Sequence, residues 1–254
     1  MRISADQNPF YYLILDQGGI LKLVFDIETI GRDWDEFDDL TKNDLTRWLK
    51  REPYSEDELQ FRVDNIKEET PLSPLTGEIV SIAIYDVERE MGAVYFQAPE
   101  APKPIFFEEA GIKYQSMKES EILKTFWEIA QKYKEFITFN GRSFDAPFML
   151  IRSAIHDVVP TADLMEGRYL YQQRGVKHID IYDQMTFYGA TSKKGSLHLF
   201  CRAFGIPSPK ENGAGNEVGE MFKKKEYEKI ARYNVGDVIA TKELYLKWEK
   251  YLKF

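Results

Sequence analysis

Leu21-Lys22-Leu23-Val24-Phe25-Asp26-Ile27-Glu28-Thr29 sets the frame for the whole chain. Residues 21–27 form a compact apolar run with β-branched and aromatic members, the pattern of a buried strand. Asp26 and Glu28 stand at i and i+2 at its carboxyl end, and the period of two puts both side chains on one face of the sheet. Two carboxylates side by side at the end of a buried strand repel each other and are expensive without a cation. The plain alternative is a strand end that frays into solvent, and Asp-x-Glu alone does not exclude it.

Outward from this strand the chain alternates. Residues 31–77 are polar and poor in periodicity, with a helix expected over Asp35 to Lys50, where Leu45, Trp48 and Leu49 recur at helical spacing. This segment has too few apolar residues for a core of its own and reads as an acidic insertion on the sheet edge. Strands are expected at 78–86 and 92–97. An amphipathic helix follows from Ser120 to about Lys134, with Ile122, Leu123, Phe126, Ile129 and Ala130 on one stripe. A short strand, Phe136 to Phe139, runs into the loop Asn140-Gly141-Arg142-Ser143. A helix begins near Asp145, with Pro147 in its first turn. After a strand near 178–182, helices are expected at 183–189 and 196–204, and a long one runs from Lys224 to Lys250. Strands first, then alternation with helices, predict an α/β fold with a mixed, helix-covered sheet. Residues 1–254 read as a single domain.

Composition excludes other classes. The 254 residues are 43% hydrophobic and 30% charged, which is neither disordered nor collagen-like. The early apolar run Phe10 to Leu15 is far short of the ~20 residues of a bilayer span. No basic region followed by an apolar stretch and cleavage site opens the chain, so no membrane partner and a soluble, cytoplasmic protein are expected. A lone cysteine, Cys201, allows no intrachain disulfide or thiolate cage, and its apolar neighbours place it in the core. His156, His178 and His198 form no local ligand pair, so a metal site would be built from carboxylate oxygens, which suits Mg²⁺ or Mn²⁺. The net charge of −8 argues against broad, salt-driven wrapping of DNA. Residues 31–70 hold 13 acidic and 7 basic side chains, whereas residues 221–254 hold 9 basic and 5 acidic ones. Gly213 to Gly219 mimics a dinucleotide fingerprint with the wrong spacing, and Gly189 to Ser196 lacks the triplet of a phosphate loop.

Further acids change the meaning of the first pair. Asp145 follows a strand and loop in Asn140-Gly141-Arg142-Ser143-Phe144-Asp145, where it also suits a helix cap. Tyr233 and Asp237 stand four apart on the last helix, hence on one face, and Asp237 lies among Val235, Val238, Ile239 and Ala240. Phe25-Asp26-Ile27-Glu28-Thr29, Asn140-Gly141…Phe144-Asp145 and Tyr233-x-x-x-Asp237 resemble, in order, the three motifs of the DEDD 3′→5′ exonucleases. The likeness is to the proofreading exonuclease domain of family B DNA polymerases, or to a stand-alone relative, and spans roughly residues 20–250. The histidine subclass would need His at the position of Arg232; Tyr233 fits the tyrosine subclass. The departure is the long 31–77 segment.

The resemblance implies a ribonuclease H-like α/β sheet flanked by helices, and an enzyme free-standing from any polymerase palm or fingers. It implies hydrolysis of phosphodiester bonds at the 3′ end of single-stranded nucleic acid, DNA being the expected strand. Charge accumulates on the attacking and leaving oxygens of such a reaction, and two divalent ions about 4 Å apart stabilise both. By the same resemblance Asp26 would bridge two Mg²⁺ or Mn²⁺ ions, Glu28 and Asp237 would complete the ion carrying the nucleophilic water, and Asp145 would hold the second. Tyr233 would orient that water, and Thr29, Asn140 and Phe144 would contact the terminal nucleotide. Arg168, Tyr169 and Tyr171 suit stacking and phosphate contact, or a plain surface cluster. Two other readings stay open: a non-catalytic nucleic-acid- or protein-binding module of the same fold, and a hydrolase of small nucleotides.

Overall fold

The computed structural model describes residues 20–191, 195–209 and 218–253. The run at Phe10 to Leu15 lies outside them, and the glycine-bearing segments at 189–196 and 213–219 lie partly outside. β1 (Lys22–Gly31), β2 (Gly77–Asp86), β3 (Met91–Phe96), β4 (Phe106–Glu109) and β5 (Ile112–Ser116) form one sheet with β6 (Glu135–Thr138) and β7 (Lys177–Asp180). The strand order is β4-β5-β3-β2-β1-β6-β7. β1 pairs antiparallel with β2 and parallel with β6, and β6 pairs parallel with β7, so the sheet is mixed.

Alternation along β1 feeds two layers. Leu23, Phe25 and Ile27 pack into a core with Ile122, Phe126 and Trp127 of α3 (Glu119–Ala130) and Phe148 and Met149 of α4 (Asp145–Ile155). Val24 packs on the opposite face, against Val235, Val238 and Leu244 of the long helix α8 (Tyr227–Tyr251). Leu23, Val24 and Phe25 are wholly buried. Each contributes about 1.5–3 kcal/mol by leaving water. Where this second face would continue with apolar side chains, the chain instead has Asp26 and Glu28.

The 31–77 segment differs from the sequence expectation in two ways. It does not lie on the sheet edge: it joins β1 to β2, which are neighbours in the middle of the sheet, and so sits over the end of the central strands. Arg32 N–H donates to the Thr76 carbonyl at 2.9 Å, closing it like a long hairpin loop. Nor does one helix run from Asp35 to Lys50. A 3-10 turn at Trp34–Glu36 is followed by α1 (Asp39–Thr46), a second 3-10 turn at Arg47–Arg51, and α2 (Glu56–Glu69). The Asp38 carboxylate accepts the Thr41 N–H and so restarts the helix there. Ser55 and Glu58 form a reciprocal capping box that opens α2. β4 and β5 were also not anticipated. They are short, and their turn at Ala110 and Gly111 has both residues at positive φ; pairing of β5 with β3 is what makes them strands. The remaining helices are α5 (Ile181–Met185), α6 (Leu197–Phe204) and α7 (Val218–Lys223). Cys201 is fully buried, as expected, and burial pushes its thiol up to about 11, which leaves it no nucleophilic character at neutral pH. Among the described residues no helix is long and apolar enough to cross a membrane.

Candidate active site

β1 and α8 cross face to face, and their acids meet there. Asp26, Glu28 and Asp237 each bring one carboxylate oxygen into a group whose members all lie within 4.8 Å of one another. Asp26 and Glu28 pair with Ala83 and Ser81 of β2 in unbroken register, which keeps both on the α8 face; the register shifts only after Glu28. Asp237 is buried on α8.

Asp145 arrives from the other layer. It is the first residue of α4 rather than its cap, a position taken by Phe144. One of its oxygens accepts the Ile27 N–H at 3.0 Å, which pins the carboxylate to β1 between the two strand acids. Asp145 is outside the close group of three oxygens, yet its charge reaches Asp26 and Glu28.

The arrangement opposes its own ionisation. Burial, then the charges of Asp145, Asp237 and Glu28, raise Asp26 well above the usual carboxylate range, against a hydrogen bond from Asn234. Burial, then Asp237 and Asp145, do the same to Glu28. Burial pushes Asp145 up to about 7, although the Ile27 N–H opposes it. Repelling carboxylates held together by a strand and a helix fit a hard divalent cation, since the donors are all oxygen. The histidines have other work. His178 is buried between the Thr138 hydroxyl and the Leu164 carbonyl, His156 contacts Glu119 and Arg152, and His198 contacts Ser208.

The other expected residues fall into place unevenly. Tyr233 is half-buried one turn before Asp237. Its phenol is pushed up by burial, then by the charges of Asp237, Glu28 and Asp26 and a hydrogen bond to Asp237, so it stays protonated. Thr29 donates its hydroxyl to the Pro71 carbonyl at 2.8 Å, tying the 31–77 segment to the end of β1. Asn140 is exposed, with φ of 62°. Phe144 packs 5.4 Å from Phe148 at the rim of the core. Arg232 turns away from the carboxylates, pairing with Glu109 at 2.9 Å and Glu228 at 3.2 Å.

Three residues escaped sequence reading. Asn234, fully buried, donates from Nδ2 to Asp26 Oδ2 at 2.7 Å, while its Oδ1 accepts the buried Ser81 hydroxyl at 2.8 Å. The Ser81 hydroxyl suits either end of the amide, and the Asp26 carboxylate, an acceptor when ionised, is what turns the Nδ2 end toward itself. Asp180, at the end of β7, accepts the Asn140 N–H at 2.8 Å and the Arg142 N–H at 3.0 Å, holding the loop that leads to Asp145. The signal was a polar residue in an apolar stripe: Ser81 within Ile79–Ile84, and Asn234 among Ile230, Ala231, Val235 and Val238. A buried polar group needs a partner, but sequence does not say which one.

The first 141-residue alignment with a curated protein, an uncharacterised protein of Methanocaldococcus jannaschii, is 29% identical and covers 51% of this chain and 74% of that one. The structure is similar to the family B DNA polymerase of the hyperthermophilic archaeon Pyrobaculum calidifontis, with a TM-score of 0.56 and 17% identity over 91% of this chain. The chain spans only 25% of the polymerase's length, and this likeness shows the fold alone, a ribonuclease H-like α/β sheet flanked by helices. A family described as predicted 3′-5′ exonucleases related to the exonuclease domain of PolB matches residues 103–253, which include Asp145, Tyr233 and Asp237 but begin after β1. That match takes in more than half of the sequence, and the chain belongs to this family of predicted 3′-5′ exonucleases.

Proposed function

We propose that this protein is a metal-dependent 3′→5′ exonuclease of the tyrosine DEDD subclass that removes nucleotides from single-stranded 3′ ends, with DNA as the expected strand. The observation that carries the reading is the meeting of Asp26, Glu28 and Asp237 oxygens within 4.8 Å, with Tyr233 one helical turn away. Asp26, Glu28, Asp145 and Asp237 would hold two divalent cations, Mg²⁺ or Mn²⁺. When bound, these supply Lewis-acid stabilisation of the charge on the attacking and leaving oxygens.

The chain's own groups do the rest. Water adds in line to the terminal phosphorus as the bond to the 3′ oxygen of the penultimate nucleotide breaks; that oxygen departs and takes up the proton water gives up, so the products are a nucleoside 5′-monophosphate and a strand with a new 3′ hydroxyl. Asn234 holds one oxygen of Asp26 and so fixes the orientation of that carboxylate. Tyr233, kept protonated by burial and then by its acidic neighbours, would orient water by hydrogen bonding rather than by taking its proton. Asn140 and Phe144, on the loop held by Asp180, and Thr29 at the end of β1 would face the terminal nucleotide.

Tyr233→Phe removes one hydroxyl beside charged groups, and turnover is expected to fall about 10- to 100-fold. Cation affinity, measured by titration calorimetry, stays within about twofold of wild type, because the carboxylates remain. Loss of cation binding or of folding in this variant would make Tyr233 a structural residue.

Charge also sets the substrate geometry. The 31–77 segment, with its excess of acid, is anchored to β1 through Thr29 and so lies at the end of the strand that carries Asp26 and Glu28. Phosphates running past it on a duplex are repelled; a single unstacked 3′ terminus needs fewer contacts. A strand labelled at its 5′ end should shorten stepwise, a blocked 3′ hydroxyl should slow the reaction, and a blunt duplex should be cut more slowly. The salt slope should correspond to about two to four phosphates at ~0.7 each. Cleavage within a circular strand overturns the exonuclease mode, and strand binding without any cleavage in Mg²⁺ or Mn²⁺ would point to the non-catalytic module.

A further inference from the structure

A second polar and aromatic surface hangs from the same support as the loop before Asp145. Asp180 caps α5 through the Tyr182 N–H at 3.0 Å while holding Asn140 and Arg142. Arg142 in turn donates to the Leu164 and Met165 carbonyls at 3.1 and 3.2 Å. The segment that follows, residues 166–177, is tied back to α5 by Arg168, which pairs with Asp183 at 2.9 Å. Two loops are thereby fixed relative to the candidate site, one before β7 and one after α5.

Between them the aromatic rings form a ladder. Tyr169 and Tyr171 stack with centroids 5.7 Å apart and planes 11° from parallel. Tyr188 meets Tyr169 with centroids 4.6 Å apart and planes inclined by 61°. Tyr171, the outer ring, is 82% exposed, and Phe187 beside Tyr188 is 51% exposed. Phe187 and Tyr188 have φ of 51° and 57°, a backbone region that bulky residues rarely occupy. Core packing explains none of this exposure.

The loop that carries Tyr169 and Tyr171 is basic, and the acid beside it, Asp183, is already paired with Arg168. Residues 166–177 carry three basic side chains, Arg168, Arg174 and Lys177, and one acidic, Glu166, in a protein of net charge −8. Flat exposed rings with basic groups beside them suit a ligand that combines π-faces with phosphates.

We propose that Tyr171 and Tyr169, with Arg168, form a stacking platform for unpaired bases of a single-stranded nucleic acid, upstream of the terminus that enters the carboxylate site. The platform rests on the exonuclease reading for its place along the strand, but its binding chemistry needs no turnover. Stacking accepts any base, so the platform confers strand-length preference rather than sequence preference. Paired bases have no face to offer it, so duplexes bind less well.

The test separates binding from cleavage. A fluorescein-labelled oligothymidylate of about twelve nucleotides is titrated by anisotropy in excess chelator. Tyr171→Ala should weaken binding about 5- to 100-fold and Tyr169→Ala/Tyr171→Ala further, the range of one or two stacked bases. Tyr171→Trp should bind at least as well as wild type, whereas a merely structural tyrosine would not be rescued by a larger ring. Tyr251→Ala, an exposed tyrosine at the far end of α8, serves as the control and should bind like wild type. Wild-type affinity in the Tyr169→Ala/Tyr171→Ala variant, or no strand binding by the wild type, overturns the platform; a protein partner for these rings is then the remaining use. If the binding pattern holds while wild-type protein with Mg²⁺ releases no nucleotide, the platform stands and the exonuclease reading falls.

Discussion

Asp26→Ala is expected to lower turnover on a single-stranded 3′ end by about 10³-fold or more, roughly 4 kcal/mol of lost stabilisation of the reacting phosphate. Asp26 shares its face of β1 with Glu28, lies close to Asp237, and has one oxygen fixed by Asn234, while Asp145 is held at the Ile27 N–H between the two strand acids. No neighbouring group can replace it, because the strand register holds each acid at its own position. Excess chelator should abolish activity of the wild type to the same level, and added Mg²⁺ or Mn²⁺ should restore wild type but not the variant. Release of nucleotides at the wild-type rate in either arm would remove the carboxylate cluster from the chemistry. Thermal melting of the variant in chelator should not fall, since deleting one of several repelling buried charges relieves strain in the empty cluster.

Arg152→Met is expected to cost about 3–5 kcal/mol of stability, read as a lower urea midpoint with unchanged slope. Arg152 on α4 and Glu119 on α3 are both buried and paired through two hydrogen bonds, at 2.6 and 2.8 Å. Glu119 also accepts the Ile79 N–H at 2.9 Å, so the pair ties both helices to β2. Burial works to raise Glu119, but the bonds from Arg152, the Ile79 N–H and His156 outweigh it and hold the carboxylate below its usual range. Removing the guanidinium leaves that charge buried with too little to balance it. Arg152→Met combined with Glu119→Gln should recover much of the loss, because the uncompensated charge goes with it. A single variant as stable as wild type would show that the pair does not secure the two helices.

The local pattern carried much of this protein. The apolar run before Asp26 and the two-residue spacing to Glu28 need only the geometry of a strand, and both acids do share one face. The four-residue spacing of Tyr233 and Asp237 needs only a helix, and both lie on α8. Cys201 is in the core because its neighbours are apolar. The limits lie where pairing across the chain decides. That β1 and β2 are central, and that the 31–77 segment therefore caps their ends, depends on strand order, which the 45 residues of polar sequence between them do not encode. β4 and β5 exist because β3 offers an edge, not because Phe106–Glu109 has a strong strand pattern. The same holds inside the site. Sequence names Asp26 and Asp237 as acids, 211 positions apart, but only the crossing of α8 over β1 brings their oxygens together. Ser81, Asn234 and Asp180 read as ordinary polar residues until folding supplies their partners. Periods of two and 3.6 are properties of one segment and can be read from it; hydrogen bonds between segments depend on ångström-scale placement by packing of the whole core, and that is what the tertiary structure decided.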